Sequence, residues 1–489
     1  MAVKLTETAN LVKKEAFFRR GRPKRQKNDR GSAKTLYHAN APYYGAYWEA
    51  SARICFEFGL PFSAVAYVEV FLYMSLSDNT VVITGLGIIS ALGCGVNEFW
   101  NNLTAGKCGI GPITQFDASG FSTRIAAEVK DFNPEDYMDR KDARRRDRYI
   151  QMASAASKLA WQDAQLENDK IDPLRAGVII SSGIGGISTF ENNMKTYMEK
   201  GPSRISPFFI PMMISNMASG VVSIELGLKG MSFCVVSACA SSTHALGVAA
   251  DAIRSGRADI MVAGGSEAAM TPMAVGGFCS LHALSTRNDE PAKASRPFDK
   301  ERDGFVMAEG AATVVLESFA HAKARGARIY AVLAGSGATS DAHHITAPDP
   351  EGNGAKEAMR IALADAGIKP EEVDYINAHG TSTPLGDPAE IHAIKRVFGE
   401  HAYKLAVSSS KSMFGHALGA AGALETAVCA LTIKNGIITP TINYEYPDPE
   451  CDLDFVPNVA RQAEVKVALN NSFGFGGQNA VVVLRRYEE

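Results

Sequence analysis

Cys239 stands in Val236-Ser-Ala-Cys-Ala-Ser-Ser242, where the apolar run Met231-Ser-Phe-Cys-Val-Val236 meets a stretch made almost wholly of small residues. The pattern reads as a short buried strand, a tight turn at Cys239 and then a helix. A cysteine where a helix begins feels unpaired backbone N–H groups and the positive end of the helix dipole, and both favour thiolate over thiol. Cys239 is therefore a candidate nucleophile, although a free cysteine reads equally well as a small buried apolar residue. His379, in Asn377-Ala-His-Gly-Thr-Ser-Thr-Pro384, follows an apolar stretch in a loop of small and hydroxyl residues that leaves an imidazole free to face a pocket. Lys411 and His416 share Ser408-Ser-Ser-Lys-Ser-Met-Phe-Gly-His416, and Phe475 lies among the glycines of Asn470-Asn-Ser-Phe-Gly-Phe-Gly-Gly477, which permit close backbone approach. Taken singly, each histidine is as readily a satisfied core residue. His244, five residues after Cys239 on the expected helix, is turned about 140° around its axis and does not reach the sulfur.

The elements that must hold these residues alternate. Val81-Val-Ile-Thr-Gly-Leu-Gly-Ile-Ile-Ser90 is a continuous apolar run with glycines, the signature of a strand buried on both faces, and residues 177–186, 259–265 and 310–317 are of the same type. Residues 150–165 carry apolar positions at helical spacing. Strands alternating with such helices argue for an α/β body with mixed, mostly parallel sheets covered by helices. The second half repeats the first: 329–337 echoes the opening strand, 373–380 the strand ending near 186, and 477–484 the strand at 310–317. His416-Ala-Leu-Gly-Ala-Ala-Gly422 echoes His244-Ala-Leu-Gly-Val-Ala-Ala250. Four echoes in one order suggest two copies of one βα unit packed together. Chemistry in such units gathers where strands end and helices begin, so residues of the later copy are expected to face Cys239.

The composition is that of an ordinary globular protein, with 46% hydrophobic and 21% charged residues and a formal net charge of -3 over 489 residues. The eight cysteines show no CxxC pair or metal-ligand spacing, which fits a reducing, cytoplasmic setting better than a disulfide framework, as does the absence of a secretory signal. Residues 1–73 differ in kind. They hold 12 Lys/Arg against 6 Asp/Glu and 13 of the 41 aromatic residues, whereas the remainder holds 38 basic and 47 acidic residues. Glu57, Pro61 and Glu69 interrupt the apolar stretch from residue 54 to 73, which argues against a membrane span. Arg20-Gly-Arg-Pro-Lys-Arg25 resembles a minor-groove AT-hook, though a solvated basic tail is the simpler reading. The segment is expected to lie outside the fold, with Met74 just before the first clear strand.

From about Asn79 to Arg486 the chain resembles the β-ketoacyl-acyl-carrier-protein synthases, most closely type II. The resemblance rests on Ser-Ala-Cys239-Ala-Ser-Ser, Ala-His379-Gly-Thr-Ser-Thr, Lys411-Ser-Met-Phe-Gly-His416 and Asn-Ser-Phe-Gly-Phe475-Gly-Gly, in that order. It implies a duplicated thiolase-like fold of α-β-α-β-α layers, with an earlier half (74–327) carrying the nucleophile and a later half (328–489) carrying the histidine pair. It also implies a homodimer. By resemblance Cys239 takes the acyl chain, His379 and His416 bind the malonyl thioester during decarboxylation, and the amides of Cys239 and Phe475 form the oxyanion hole. Phe475 is also the gate, Lys411 with Glu425 supports the site, Thr381 and Thr383 lie beside it, and Ile184 sits at the acyl pocket's floor. Acyl carrier protein is the implied partner. Lys141, Arg145 and Arg204 match its docking positions, while Ser203 and His282 stand where relatives commonly carry arginine. No metal or other cofactor, membrane or nucleic acid is implied.

Other readings remain distinguishable by their residues. A degradative thiolase would need a second cysteine as base, and Cys429 and Cys451 lie in no such motif. A simple acyltransferase would need Cys239 without the histidines, and a non-condensing partner subunit would lack the nucleophile. A type I or polyketide-type ketosynthase would share the whole set. A nucleic-acid role would rest on the basic tail alone and would show as salt-dependent duplex binding.

Overall fold

The computed structural model describes residues 77–488. The basic segment, its AT-hook-like run, the apolar stretch at 54–73 and Met74 lie outside the described residues. Ten strands form the main sheet: β1 (Val81–Ser90), β2 (Ala176–Ser181), β3 (Ser232–Phe233), β4 (Ile260–Glu267), β5 (Gly310–Ser318), β6 (Ala331–Ser340), β7 (Tyr375–Asn377), β8 (Ala406–Ser408), β9 (Val467–Gly474) and β10 (Gln478–Arg485). They lie in the order β8-β7-β9-β10-β6-β1-β5-β4-β2-β3, with the short strand Gly93–Cys94 folded back on β1. Outward from the β1/β6 join the two sides are topologically identical. Each runs first, fifth, fourth, second and third strand of its half, with two antiparallel joins followed by two parallel ones. The sheet is mixed, as expected, but not mostly parallel: four of its nine joins are parallel, and these are confined to the outer strands, where crossover helices link consecutive strands of each half.

Four helices set the layers: α1 (Arg148–Asp163), α2 (Ser241–Arg254), α3 (Asn353–Ala366) and α4 (Ala421–Asn435). Helix α1 covers β1 and β5, and α3 covers β6 and β10 in the same way. Both contacts use glycine: a Cβ on Gly87 would lie 1.9 Å from the Ala156 carbonyl oxygen of α1, and one on Gly337 would lie 2.1 Å from that of Ala358 in α3. Helices α2 and α4 pack on each other and against strands from both sides of the main sheet. Residues 421–433 of α4 are all buried, as required of a helix with no polar face. Three of the four sequence echoes coincide with equivalent strands. The fourth does not: His244 is inside α2, whereas His416 precedes the turn that starts α4, so the two segments are out of register. The repeat partner of the Cys239 turn is Leu418–Ala420, and Ala238 and Leu418 share the same left-handed backbone, with φ of 49° and 46°. The strand expected to be buried before Cys239 is also different, since β3 is two exposed residues at the sheet's edge.

Candidate active site

The two equivalent turns bring their cargo together. Cys239 is the middle residue of the short turn Ala238–Ala240 ahead of α2, while His379 follows β7 and His416 precedes α4. All three line one cavity of about 540 Å³ with Ile184, Phe475, Thr381 and Thr383. The imidazoles meet edge to face with ring centroids 5.3 Å apart, His416 packs edge-on against Phe305 at 5.3 Å, and His379 lies 5.7 Å from Phe473. The Phe475 backbone N–H is near enough to the Cys239 sulfur to favour its ionised form. Close approach there depends on Gly474, where a Cβ would lie 2.8 Å from the Ser237 carbonyl oxygen and 3.1 Å from the Cys239 nitrogen. The Phe475 ring, half-buried, faces Phe278 at 6.2 Å. Cys429 and Cys451 are fully buried and do not line the cavity.

Burial dominates the electrostatics of the site. Burial pushes the Cys239 thiol up, to about 12, against the pull of Lys411 and with the Glu267 charge adding to the rise. The helix-start expectation of a ready thiolate is thereby corrected, because a dipole effect of about 0.3–1 kcal/mol is outweighed by desolvation of a buried anion. Lys411 is buried and ion-paired with Glu425, whose carboxyl burial raises to about 7. The turn between residues 415 and 420 closes their 14-residue separation. Burial, with Lys411 adding to it, holds both His379 and His416 well below the usual imidazole range, so both rings are neutral. Their Nδ1 atoms have no hydrogen-bond partner among the described residues.

This neutrality carries a pH signature. Histidines of the unfolded chain titrate near 6.5, so below that value the unfolded state binds protons that the folded rings refuse, and stability is lost on acidification. Each ring contributes a slope of up to about 1.4 kcal/mol per pH unit. Glu425 and Glu390, whose carboxyls are raised, act in the opposite sense. The comparison must therefore be between proteins. The loss in melting temperature from about pH 7 to 5 should be smaller in a His379→Gln/His416→Gln variant than in the wild type. Parallel losses would contradict the neutral pair.

Two carboxylates that sequence reasoning missed hold the His379 loop. Glu390, 2% exposed, accepts from the His379 N–H (2.9 Å), the Gly380 N–H (2.8 Å) and Asn471 Nδ2 (3.0 Å). Asp387, raised to about 6 by burial, accepts from the Ser382 and Phe298 N–H groups. Their spacing of eight and eleven residues from His379 was the available signal, since both fall on the helix that follows the loop. Thr381 and Thr383 share a hydroxyl hydrogen bond of 3.1 Å at the cavity wall. His244 faces away from the thiol, its Nδ1 2.7 Å from Ser237 Oγ. Outside the cavity, Lys141, Arg145 and Arg204 are all exposed, and the Arg145 guanidinium lies 4.8 Å over the Phe208 ring, four residues from Arg204. Arg146 and Arg148 of the same basic run turn inward onto Glu225 and Glu309. His282 lines the cavity, while Ser203 is exposed. Among the described residues no group of three or more His, Cys, Asp or Glu is placed to hold a metal ion.

Residues 78–322 match the family model "Beta-ketoacyl synthase, N-terminal domain" and residues 330–445 match "Beta-ketoacyl synthase, C-terminal domain". The chain is 56% identical over 411 residues to a 3-oxoacyl-[acyl-carrier-protein] synthase 2 of Coxiella burnetii, a match that covers 84% of this chain and 99% of the relative. It is 50% identical to the enzyme of that name from Synechocystis sp., with 85% and 100% covered. Among solved structures it resembles a type II PKS acyl-carrier protein in complex with its ketosynthase, at 40% identity and a TM-score of 0.78, covering 84% of this chain and 99% of that one.

Proposed function

The chain belongs to the β-ketoacyl synthase family, and from that premise we propose that it is a condensing enzyme of fatty acid elongation, joining an acyl chain held on Cys239 to malonyl-acyl-carrier protein. The observation that carries this reading is the meeting of Cys239 with two neutral imidazoles, His379 and His416, in one cavity. The Cys239 sulfur attacks the acyl thioester carbon, the carrier's sulfur leaves with the thiol proton, and the amides of Cys239 and Phe475 receive the transient oxyanion. Malonyl-carrier protein then enters. Its carboxylate leaves as carbon dioxide, and the electron pair of the broken C–C bond passes into an enolate whose oxygen accepts from the two neutral imidazoles. The carbanion attacks the acyl-cysteine carbonyl, the Cys239 thiolate leaves, and one proton is taken up overall. Lys411, held by Glu425, lends positive charge to the thiolate. Phe475 gates the acyl pocket and Ile184 forms its floor.

Acyl carrier protein is the partner in this reading, docked on the exposed Lys141, Arg145 and Arg204. Reversing these three charges to glutamate should raise KM for the acyl-carrier protein by about tenfold or more, leave kcat within about twofold, and matter less at high salt. An unchanged KM would remove the patch from the interface. A homodimer is supported by two features: Ile184 lines the cavity yet remains 37% exposed, and the edge strand β3 leaves Phe233 39% exposed beside unpaired backbone. The identical strand order of the two sides supports the division into a nucleophile half (74–327) and a histidine half (328–489). No helix of the described residues is long and apolar enough to cross a membrane, and we assign the enzyme to the cytoplasm. A polyketide-type ketosynthase is the second reading, favoured by the solved neighbour but at lower identity than the fatty acid enzymes.

Full-length protein supplied with acyl- and malonyl-carrier proteins is expected to release a 3-oxoacyl-carrier protein two carbons longer, identified by mass. Transfer of the acyl group without carbon dioxide release would replace the condensing enzyme by an acyltransferase.

A further inference from the structure

Glu267 ends β4 with a fully buried side chain that no step above uses. Its carboxylate accepts four hydrogen bonds. Oε1 accepts from the Ser182 hydroxyl (2.8 Å) and the Ile184 N–H (3.1 Å), and Oε2 from the Gly183 N–H (2.7 Å) and the Gly419 N–H (2.9 Å). All four donors are neutral, which makes this an expensive place for a carboxylate. Burial raises its pKa, and the four bonds oppose that rise.

The location of the donors explains what the charge returns. Three come from the loop that carries Ile184 to the cavity, and the fourth from the turn three residues after His416. The loops touch at their glycines: a Cβ on Gly419 would lie 2.3 Å from the Gly183 nitrogen, and one on Gly183 would lie 3.6 Å from the carbonyl oxygen of Ala238, next to Cys239. One carboxylate thus sits where the acyl pocket, the thiol turn and the histidine segment of the other half converge. It is also a negative charge acting on the Cys239 sulfur, opposite in sense to Lys411.

We propose that Glu267 is a positioning residue of the condensation reaction: it holds the Ile184 loop and the His416 turn in one register beside the Cys239 turn. A negative charge held at that junction disfavours a second one on the nearby sulfur. The proposal rests on the condensing-enzyme reading given above. Two variants separate reach from charge. Glu267→Gln keeps the length, loses the charge and turns an amide NH₂ toward backbone donors. Glu267→Asp keeps the charge and is one methylene too short to span both loops.

In the full-length protein, alkylation of Cys239 by iodoacetamide at a fixed pH below the thiol pKa reports the thiolate fraction, read by peptide mass. Glu267→Gln should raise that rate by about tenfold, the effect of removing one nearby like charge, and Glu267→Asp should not. Both variants should change the ratio of self-acylation rates between long and short acyl-carrier proteins by several-fold, since the Ile184 loop loses its anchor in each. An alkylation rate that is unchanged in Glu267→Gln, or raised equally in both variants, would overturn the proposal. Loss of folded protein in both would do the same, assigning Glu267 to the core alone. The alkylation readout needs no acyl donor, so its failure in the Glu267 variants is distinguishable from a wild-type protein that fails to condense, which would sink the functional reading on which the proposal rests.

Discussion

Cys239→Ala should lower ketoacyl product formation by a factor on the order of 10⁴ or more, with a melting temperature close to that of the wild type. The thiol lines the cavity and forms the only covalent bond between enzyme and substrate in the proposed cycle, so no neighbouring group can stand in for it. Cys279 shares the apolar cluster around it but does not line the cavity. The backbone strain of the turn lies at Ala238, with φ of 49°, and not at residue 239, so alanine fits without distortion. Mass measurement of products from acyl- and malonyl-carrier proteins checks the loss. Ketoacyl product at the wild-type rate would remove Cys239 from the chemistry.

His379→Ala should separate the half-reactions. Self-acylation is expected to stay within a few-fold of wild type, while malonyl decarboxylation falls by about 10²–10³, the usual cost of losing one preorganised donor to a developing oxyanion. The physical basis is the neutrality of the rings, because each neutral imidazole carries one N–H and neither brings a charge that the leaving carboxylate would pair with and retain. His379 is the better probe of the two. His416 is 2% exposed and packed on Phe305, so its removal also leaves a core cavity, whereas His379 is partly open to the pocket. Labelled carbon dioxide release from malonyl-carrier protein, measured beside acyl loading, checks both halves. Undiminished decarboxylation would dissociate His379 from that step.

Much of this was legible because the signals were local. A ten-residue run whose only polar residues are Thr84 and Ser90 reads as a strand buried on both faces, and β1 is that strand. The order of equivalent strands was legible in three echoes, since strands and their glycines obey the same packing demands in both halves, as Gly87 and Gly337 demonstrate. The fourth echo misled because starts of small-residue helices look alike, and the real equivalence lies in the backbone of Ala238 and Leu418. The Cys239 thiol illustrates a different limit. The dipole that favours thiolate is visible in the chain order, but the desolvation that outweighs it depends on walls supplied by distant segments, including Phe475 and His416. Glu267 was not legible for the same reason, and Asp387 and Glu390 offered only their place on the helix after the His379 loop. A lone carboxylate acquires its role only when backbone N–H groups from separate loops converge on it. The brevity and exposure of β3 are features of a sheet edge, and the edge is set by topology rather than by the apolar run itself.

The central claim is that an acyl chain waits on Cys239 until a malonyl unit, decarboxylated beside the same sulfur, takes it away. Peptide mass mapping of the full-length protein after incubation with acyl-carrier protein, before and after malonyl-carrier protein is added, tests it most directly. The expected result is one acyl group on the peptide containing Cys239, discharged with one carbon dioxide per chain, and retained on the same cysteine in His379→Ala. An acyl group found on another residue, or one that malonyl-carrier protein leaves in place, would contradict it.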